Sequence, residues 1–77
     1  MKIIENKIFQ ILKKTFPNSS IPKKFLNLKI GDLKEWDSLG NFNLLLAIED
    51  TFKIKFSMKE LEEIKSVKQL IKKLSKK

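Results

Sequence analysis

The chain contains no cysteine and no histidine. Without cysteine it has no disulfide framework and no thiolate metal site, and without histidine it lacks the commonest metal ligand. A serine in such a chain also has no imidazole to activate it as a nucleophile. Arginine is missing too: all seventeen basic residues are lysine. Proteins that read nucleic acid usually rely on the bidentate arginine fork, so the formal charge of +8 reads as a solvated lysine surface. Long apolar runs are absent as well. The longest, Leu44 to Ile48, is far too short to span a bilayer, and Ile3-Ile4 meets Glu5, Asn6 and Lys7 before any signal-peptide core can form. The expectation is a soluble, cytoplasmic protein with no membrane insertion.

Seventy-seven residues hold one small domain, spanning 1–77, with a single core. Lacking staples, such a domain depends on well-packed helices. Charge is unevenly placed along it. Residues 1–31 carry seven lysines against Glu5, and residues 64–77 carry six lysines and no acid. Residues 32–63 carry eight acids (Asp32, Glu35, Asp37, Glu49, Asp50, Glu60, Glu62, Glu63) against four lysines. An acidic middle between basic ends suits a basic partner docking at the middle.

Hydrophobic spacing predicts an all-α fold, a small four-helix bundle of three longer helices and a short third one. Ile4, Ile8, Ile11 and Leu12 form the stripe of an amphipathic helix over residues 2 to 15. Pro17-Asn18-Ser19-Ser20 and Pro22 end it and open a long loop, whose Phe25, Leu26, Leu28, Ile30 and Leu33 should pin it to the core. A second helix is expected from Ser38 to Thr51, with Leu39, Phe42, Leu45, Leu46 and Phe52 among its buried positions. Phe52-Lys53-Ile54-Lys55-Phe56 alternates like a strand but has no partner, and reads as an extended connection. Ser57 with Glu60, and Ser66 with Gln69, match the capping-box pattern and should open the third and fourth helices. The third should run through Ile64, and Ser75 to Lys77 are expected to fray.

Trp36-Asp37-Ser38-Leu39 at the mouth of the second helix is the most informative stretch. A helix N-terminus presents unpaired amides and the positive end of the macrodipole, so Ser38 is well placed to carry a phosphate-linked group. With its downstream context this segment resembles the acyl carrier protein family. Asp37-Ser38-Leu39 matches the family's attachment motif. Leu44-Leu45-Leu46-Ala47-Ile48-Glu49-Asp50 with Phe52 matches its second-helix signature. Glu60 to Ile64, Ser66-Val67 and Leu70-Ile71 match its third helix and the start of its fourth. Residues 1–30 fit only in having one amphipathic helix and a long loop.

The resemblance implies that Ser38 is esterified by 4′-phosphopantetheine from coenzyme A, placed there by a holo-acyl-carrier-protein synthase or other phosphopantetheinyl transferase. Asp37 and Leu39 complete that site. Acyl groups would ride as thioesters on the arm, with an acyl ligase, acyltransferase or ketosynthase as further partners, in fatty acid or specialised lipid or secondary-metabolite synthesis. Such a protein is a monomeric carrier and not itself an enzyme. Its core would be adaptable, with Leu45, Leu46, Ile48, Phe52, Ile54, Phe56, Ile64 and Leu70 as candidates for the wall of a cavity between helices. Trp36, Phe42, Glu49 and Asp50 are the candidate partner contacts, although Trp36 could equally pack the loop against the core, Asp37 could simply cap the helix, and Glu49 and Asp50 could be solvated helix acids. Paired-carboxylate catalysis by Glu35 and Asp37 has little support in an exposed turn.

Several positions depart from the family pattern. Gly40, Asn41 and Asn43 stand where the family places acids early in the second helix, Phe42 replaces an aliphatic residue, and Lys53 and Lys55 follow the helix. These differences point to a specialist carrier serving dedicated enzymes. An aminoacyl or peptidyl carrier with the same arm is the alternative. A basic helical module for nucleic acid or anionic surfaces is the distant one.

Overall fold

The computed structural model describes residues 2–76, with side chains described for residues 3–75. Four α-helices follow one another: α1 (Lys2–Thr15), α2 (Ser38–Phe52), α3 (Met58–Glu63) and α4 (Val67–Lys76). A single 3₁₀ turn, Phe25–Asn27, interrupts the long connection between α1 and α2. Among the described residues there is no strand, only one isolated antiparallel bridge between Lys29 and Ser66. The protein is thus the small all-α bundle that the spacing predicts. Lys77, expected to fray, lies outside the described residues, whereas Ser75 belongs to α4.

The amphipathic stripes build the core. From α1 come Ile8, Ile11 and Leu12, with Phe16 just beyond its end; α2 gives Leu44, Leu45 and Ile48, and α4 gives Val67, Leu70 and Leu74. Phe56 and Ile64 close the core from the two short connections. Fully burying side chains of this size contributes roughly 1.5–3 kcal/mol each, which is why three short helices suffice without a disulfide.

Local chemistry sets the helix ends. Ser57 Oγ accepts from the Glu60 amide at 3.1 Å and Glu60 Oε1 accepts from the Ser57 amide at 2.9 Å, the reciprocal box expected for α3. At α4 the Ser66 hydroxyl accepts from the Gln69 amide at 3.2 Å. Gln69 Oε1 reaches one residue further back than a capping box does, taking the Lys65 amide at 2.8 Å. α2 ends with Lys53 in the left-handed region at φ 57°, where its amide still donates to the Glu49 carbonyl.

The long loop is held by more than its apolar residues. Phe25, Leu26, Leu28, Ile30 and Leu33 do pack against the core. The Ile30 amide also donates to the Lys65 carbonyl at 2.8 Å, and the Val67 amide to the Leu28 carbonyl at 3.0 Å. The loop therefore clasps the connection between α3 and α4.

The buried face of α2 differs from expectation. Leu39, Phe42 and Leu46 are 69, 46 and 42 % exposed, while Gly40, Asn41, Leu44, Leu45, Ile48 and Glu49 face inward. Leu45 is buried as expected and Phe52 half-buried. α2 is apolar on both sides, and the side that turns inward carries Leu44, Leu45 and Ile48 together with two polar side chains that have fixed partners inside the fold. Asn41 and Glu49 are satisfied there, so their neighbours at one-turn spacing go in with them.

Candidate functional site

Ser38 is the first residue of α2 and is exposed. Asp37 precedes it in extended conformation and caps the helix, its Oδ1 accepting from the Gly40 amide at 2.8 Å. That satisfies one of the donors a helix N-terminus leaves open and places a carboxylate at the positive end of the macrodipole. Asp37 is therefore engaged in the capping role that the sequence allowed for.

The turn bearing Ser38 is anchored from beneath by Trp36. Its side chain is 1 % exposed and stacks on Phe16, with ring centroids 5.7 Å apart. The indole Nε1–H donates to Asn41 Oδ1 at 2.9 Å, and Asn41 Nδ2 donates to the Ile64 carbonyl at 2.8 Å. One buried amide thus joins the loop, the first turn of α2 and the start of the α3–α4 connection. As a partner anchor Trp36 is ruled out by this burial: it packs the loop against the core, and reaching a partner would mean dismantling that packing.

Glu49 is likewise withdrawn from the partner-contact role. It is buried, and its Oε2 accepts from the Phe56 amide at 2.7 Å. That charge-assisted hydrogen bond joins the end of α2 to the extended connection that follows it. Phe42 and Asp50 remain exposed on α2 and available. The four candidates for partner contact thus divide into two structural residues and two surface ones.

Glu35 also has a structural task. Its Oε1 accepts from the Asn18 amide and the Ser19 hydroxyl, each at 3.0 Å, tying the end of α1 to the turn before Ser38. Asp37 and Glu35 thus each accept from separate donors within the fold. Further back, Asp32 closes a turn on Lys29, accepting from its amide at 3.0 Å and its ammonium at 3.2 Å. Those contacts, the backbone hydrogen bond first, hold the Asp32 carboxyl below its ordinary range. Gly31, at φ +93°, makes that turn and donates to the Trp36 carbonyl at 2.8 Å.

Gly40 and Asn41 are site residues that motif and hydropathy mark only as departures from a pattern. A Cβ on Gly40 would collide with the Glu35 backbone carbonyl and crowd Phe16 Cε1 at 3.1 Å. The glycine lets the loop lie directly on the first turn of α2. A glycine two residues inside a helix is itself the signal for such an approach.

Among the described residues no three metal-ligating side chains come together, and no helix is long and apolar enough to cross a membrane. The residues expected to wall an inner cavity separate into two groups. Leu45, Ile48, Phe56, Ile64 and Leu70 belong to the packed core, with Phe52 half-buried against it. Leu46 and Ile54 instead line an open surface groove of about 460 Å³ with Glu49, Asp50, Lys53 and Lys55. Comparison with family models, with curated proteins and with solved structures finds no match.

Proposed function

We propose that this chain is a carrier protein, with Ser38 as the attachment point of a 4′-phosphopantetheine arm and acyl groups as its cargo. The observation that carries the reading is the placement of Ser38 within Asp37-Ser38-Leu39: exposed, at the first position of a fifteen-residue helix, on a turn immobilised from below. The residues suit the group. The Ser38 hydroxyl is open to solvent, and the first-turn amides and the helix dipole favour a phosphodiester there. Asp37 has its Oδ1 on the Gly40 amide and so keeps the turn in shape rather than competing for the serine.

When attached, the arm supplies a thiol, which the chain itself lacks, for thioester bonds. The protein's own contribution is presentation. Ser38 Oγ would lose its proton and bond to the pantetheine-side phosphorus of coenzyme A as the pyrophosphate link breaks and adenosine 3′,5′-bisphosphate leaves, and the Trp36–Asn41–Ile64 network would hold the point of attachment while the tether moves. Tethering raises the cargo's effective concentration at each enzyme it visits. A phosphopantetheinyl transferase is the obligatory partner, followed by a ligase, acyltransferase or ketosynthase. Coenzyme A as donor makes the cytoplasm the compartment of modification. An aminoacyl or peptidyl cargo would use the same residues, because the loading enzyme selects it.

The test is an intact-mass spectrum after incubation with coenzyme A and a broad-specificity phosphopantetheinyl transferase. The expected result is a gain of one phosphopantetheine that disappears in Ser38→Ala. An unchanged mass, under conditions that fully modify a known carrier, refutes the reading.

A further inference from the structure

α3 is fastened to α2 at both of its ends. Just before α3 the Phe56 amide donates to Glu49 Oε2 at 2.7 Å, and directly after it the Ile64 carbonyl accepts from Asn41 Nδ2 at 2.8 Å. Asn41 and Glu49 lie about two turns apart on α2, and both are buried, 6 and 9 % exposed. α3 itself has no fully buried residue. These two clasps, with the buried Phe56 and Ile64 that they hold, fix where it sits. The connection beyond α3 is gripped from the loop side as well, through the Ile30 amide on the Lys65 carbonyl and the Val67 amide on the Leu28 carbonyl.

The interior beneath Ser38 is filled at the same place. Trp36 stacks on Phe16 and donates to Asn41 Oδ1 at 2.9 Å. A hydrocarbon chain passing inward from Ser38 between α2 and α3 would meet Asn41 one turn along the helix. To go further it would part Asn41 from both Trp36 and the Ile64 carbonyl, leaving the indole N–H and that carbonyl unpaired. A buried polar group stripped of its partner costs more than one buried methylene offsets, so the first carbons to enter make the fold less stable. Room beside Ser38 lies instead at the surface, in a groove of about 290 Å³ that Thr15, Asp37, Leu39 and Asn43 help to line.

We infer that Asn41 and Glu49 are specificity-determining residues that keep the core closed to whatever Ser38 carries, so that the cargo is a short or polar acyl group riding outside the fold. The choice of cargo rests on the carrier reading of Ser38; the closed core does not. A long hydrocarbon chain held outside would keep its apolar surface in water, whereas an acyl group of a few carbons, or one bearing an amine or hydroxyl, exposes little. This departs from the adaptable core that the family resemblance implies.

The chain has no cysteine, so Ser38→Cys supplies a single thiol on which cargo can be built without any enzyme. Straight alkyl chains of two, eight and twelve carbons are attached there as iodoacetamides bearing a spacer of pantetheine length. The full-length adducts are compared by thermal unfolding and by the emission of Trp36, the sole tryptophan. With Ser38→Cys alone, every length is expected to unfold within about 1 °C of the two-carbon adduct, with one Trp36 emission maximum. Asn41→Ala and Glu49→Ala, each added to Ser38→Cys, provide two unclasped backgrounds. Each is set against its own two-carbon adduct, which removes the effect of the substitution itself. There the longer chains should raise the midpoint by about 4 °C or more, because the parted helices admit them.

A midpoint that climbs with chain length in Ser38→Cys alone, or a Trp36 emission that shifts with it, overturns the inference. So do flat midpoints in both unclasped backgrounds, which would mean that these two residues do not shut the core. The carrier reading is scored separately, by the mass gained on the Ser38 chain with coenzyme A and a phosphopantetheinyl transferase. No gain, together with length-independent adducts, would sink the carrier reading and keep the closed core; a gain with length-dependent adducts would do the opposite.

Discussion

Replacing Asn41 by leucine tests whether one buried amide holds the candidate site together. Leucine is close in size and more apolar, so the core gains apolar surface and loses no volume. What it loses is a partner for the Trp36 indole N–H, now accepted at 2.9 Å, and a donor to the Ile64 carbonyl at 2.8 Å. Each group left buried without a partner costs about 1–3 kcal/mol. Against that, the added apolar burial returns about 1 kcal/mol. With two such groups the net expectation is a loss of about 1–5 kcal/mol, centred near 3. For a chain of 77 residues, total stability of about 4–12 kcal/mol makes that a large fraction. In thermal terms it corresponds to a fall of roughly 10–20 °C.

Urea denaturation of the parent, Asn41→Leu, Trp36→Phe and the double variant supplies the decisive measurement. Trp36→Phe removes the N–H and orphans Asn41 Oδ1; made in the Asn41→Leu background it should cost less, because the indole donor is already unsatisfied there. A coupling energy of about 1–2 kcal/mol is expected from the cycle. An Asn41→Leu protein as stable as the parent, or strict additivity in the cycle, would refute the claim that this amide organises the turn beneath Ser38.

Two further substitutions probe the frame around Ser38. Gly40→Ala drives a methyl into the Glu35 carbonyl and against Phe16. It should destabilise by about 2–3 kcal/mol, in the range of overpacked sites, and slow modification of Ser38; unchanged denaturation and unchanged modification would show that the loop does not lie on this turn. Asp32→Asn addresses acid sensitivity. Because the folded carboxyl titrates below its ordinary 3.8, its stabilisation is complete above that value and is lost as pH falls through the lower folded value. The stability gap between parent and variant should therefore be open near neutrality and narrow steadily below pH ~4; a gap of constant size down to pH ~2 would contradict it.

The helices were legible because their signals are local. The i, i+4, i+7 stripe of α1, the Ser57–Glu60 box and the Ser66–Gln69 pair each lie within one or two turns of chain, and each appears where the pattern places it. The exposed position of Ser38 and the capping by Asp37 were legible for the same reason. The phase of α2 was not. Choosing the face of a helix by hydropathy needs one apolar side, and α2 has two: Leu44, Leu45 and Ile48 on the side that also carries Asn41 and Glu49, and Leu39, Phe42 and Leu46 on the other. What decides the matter lies outside the helix: the Ile64 carbonyl is twenty-three residues from Asn41, and the Phe56 amide sits in the connection seven residues beyond Glu49. No window of sequence shows that those donors and acceptors need partners.

That choice of side links stability to the protein's surface. Leu44, Leu45 and Ile48 already fill the buried side of α2, which leaves Leu39, Phe42 and Leu46 for its surface. By satisfying Asn41 and Glu49 internally, the fold meets its hydrogen-bonding needs and frees Phe42 and Leu46 for the surface at the same time. The cost is an exposed apolar patch, which in a small protein favours self-association unless something covers it. The lysines offset this. Lys53 and Lys55 border the patch, and with those along α1 and α4 they give every copy a net positive charge, so that two copies repel. Neutralising that charge should therefore lower solubility before it lowers stability. Lys53→Gln/Lys55→Gln is expected to associate at concentrations where the parent stays monomeric in sedimentation equilibrium, with an unchanged unfolding transition when dilute. A variant that remains monomeric at millimolar concentration would show that the lysines do not guard the patch.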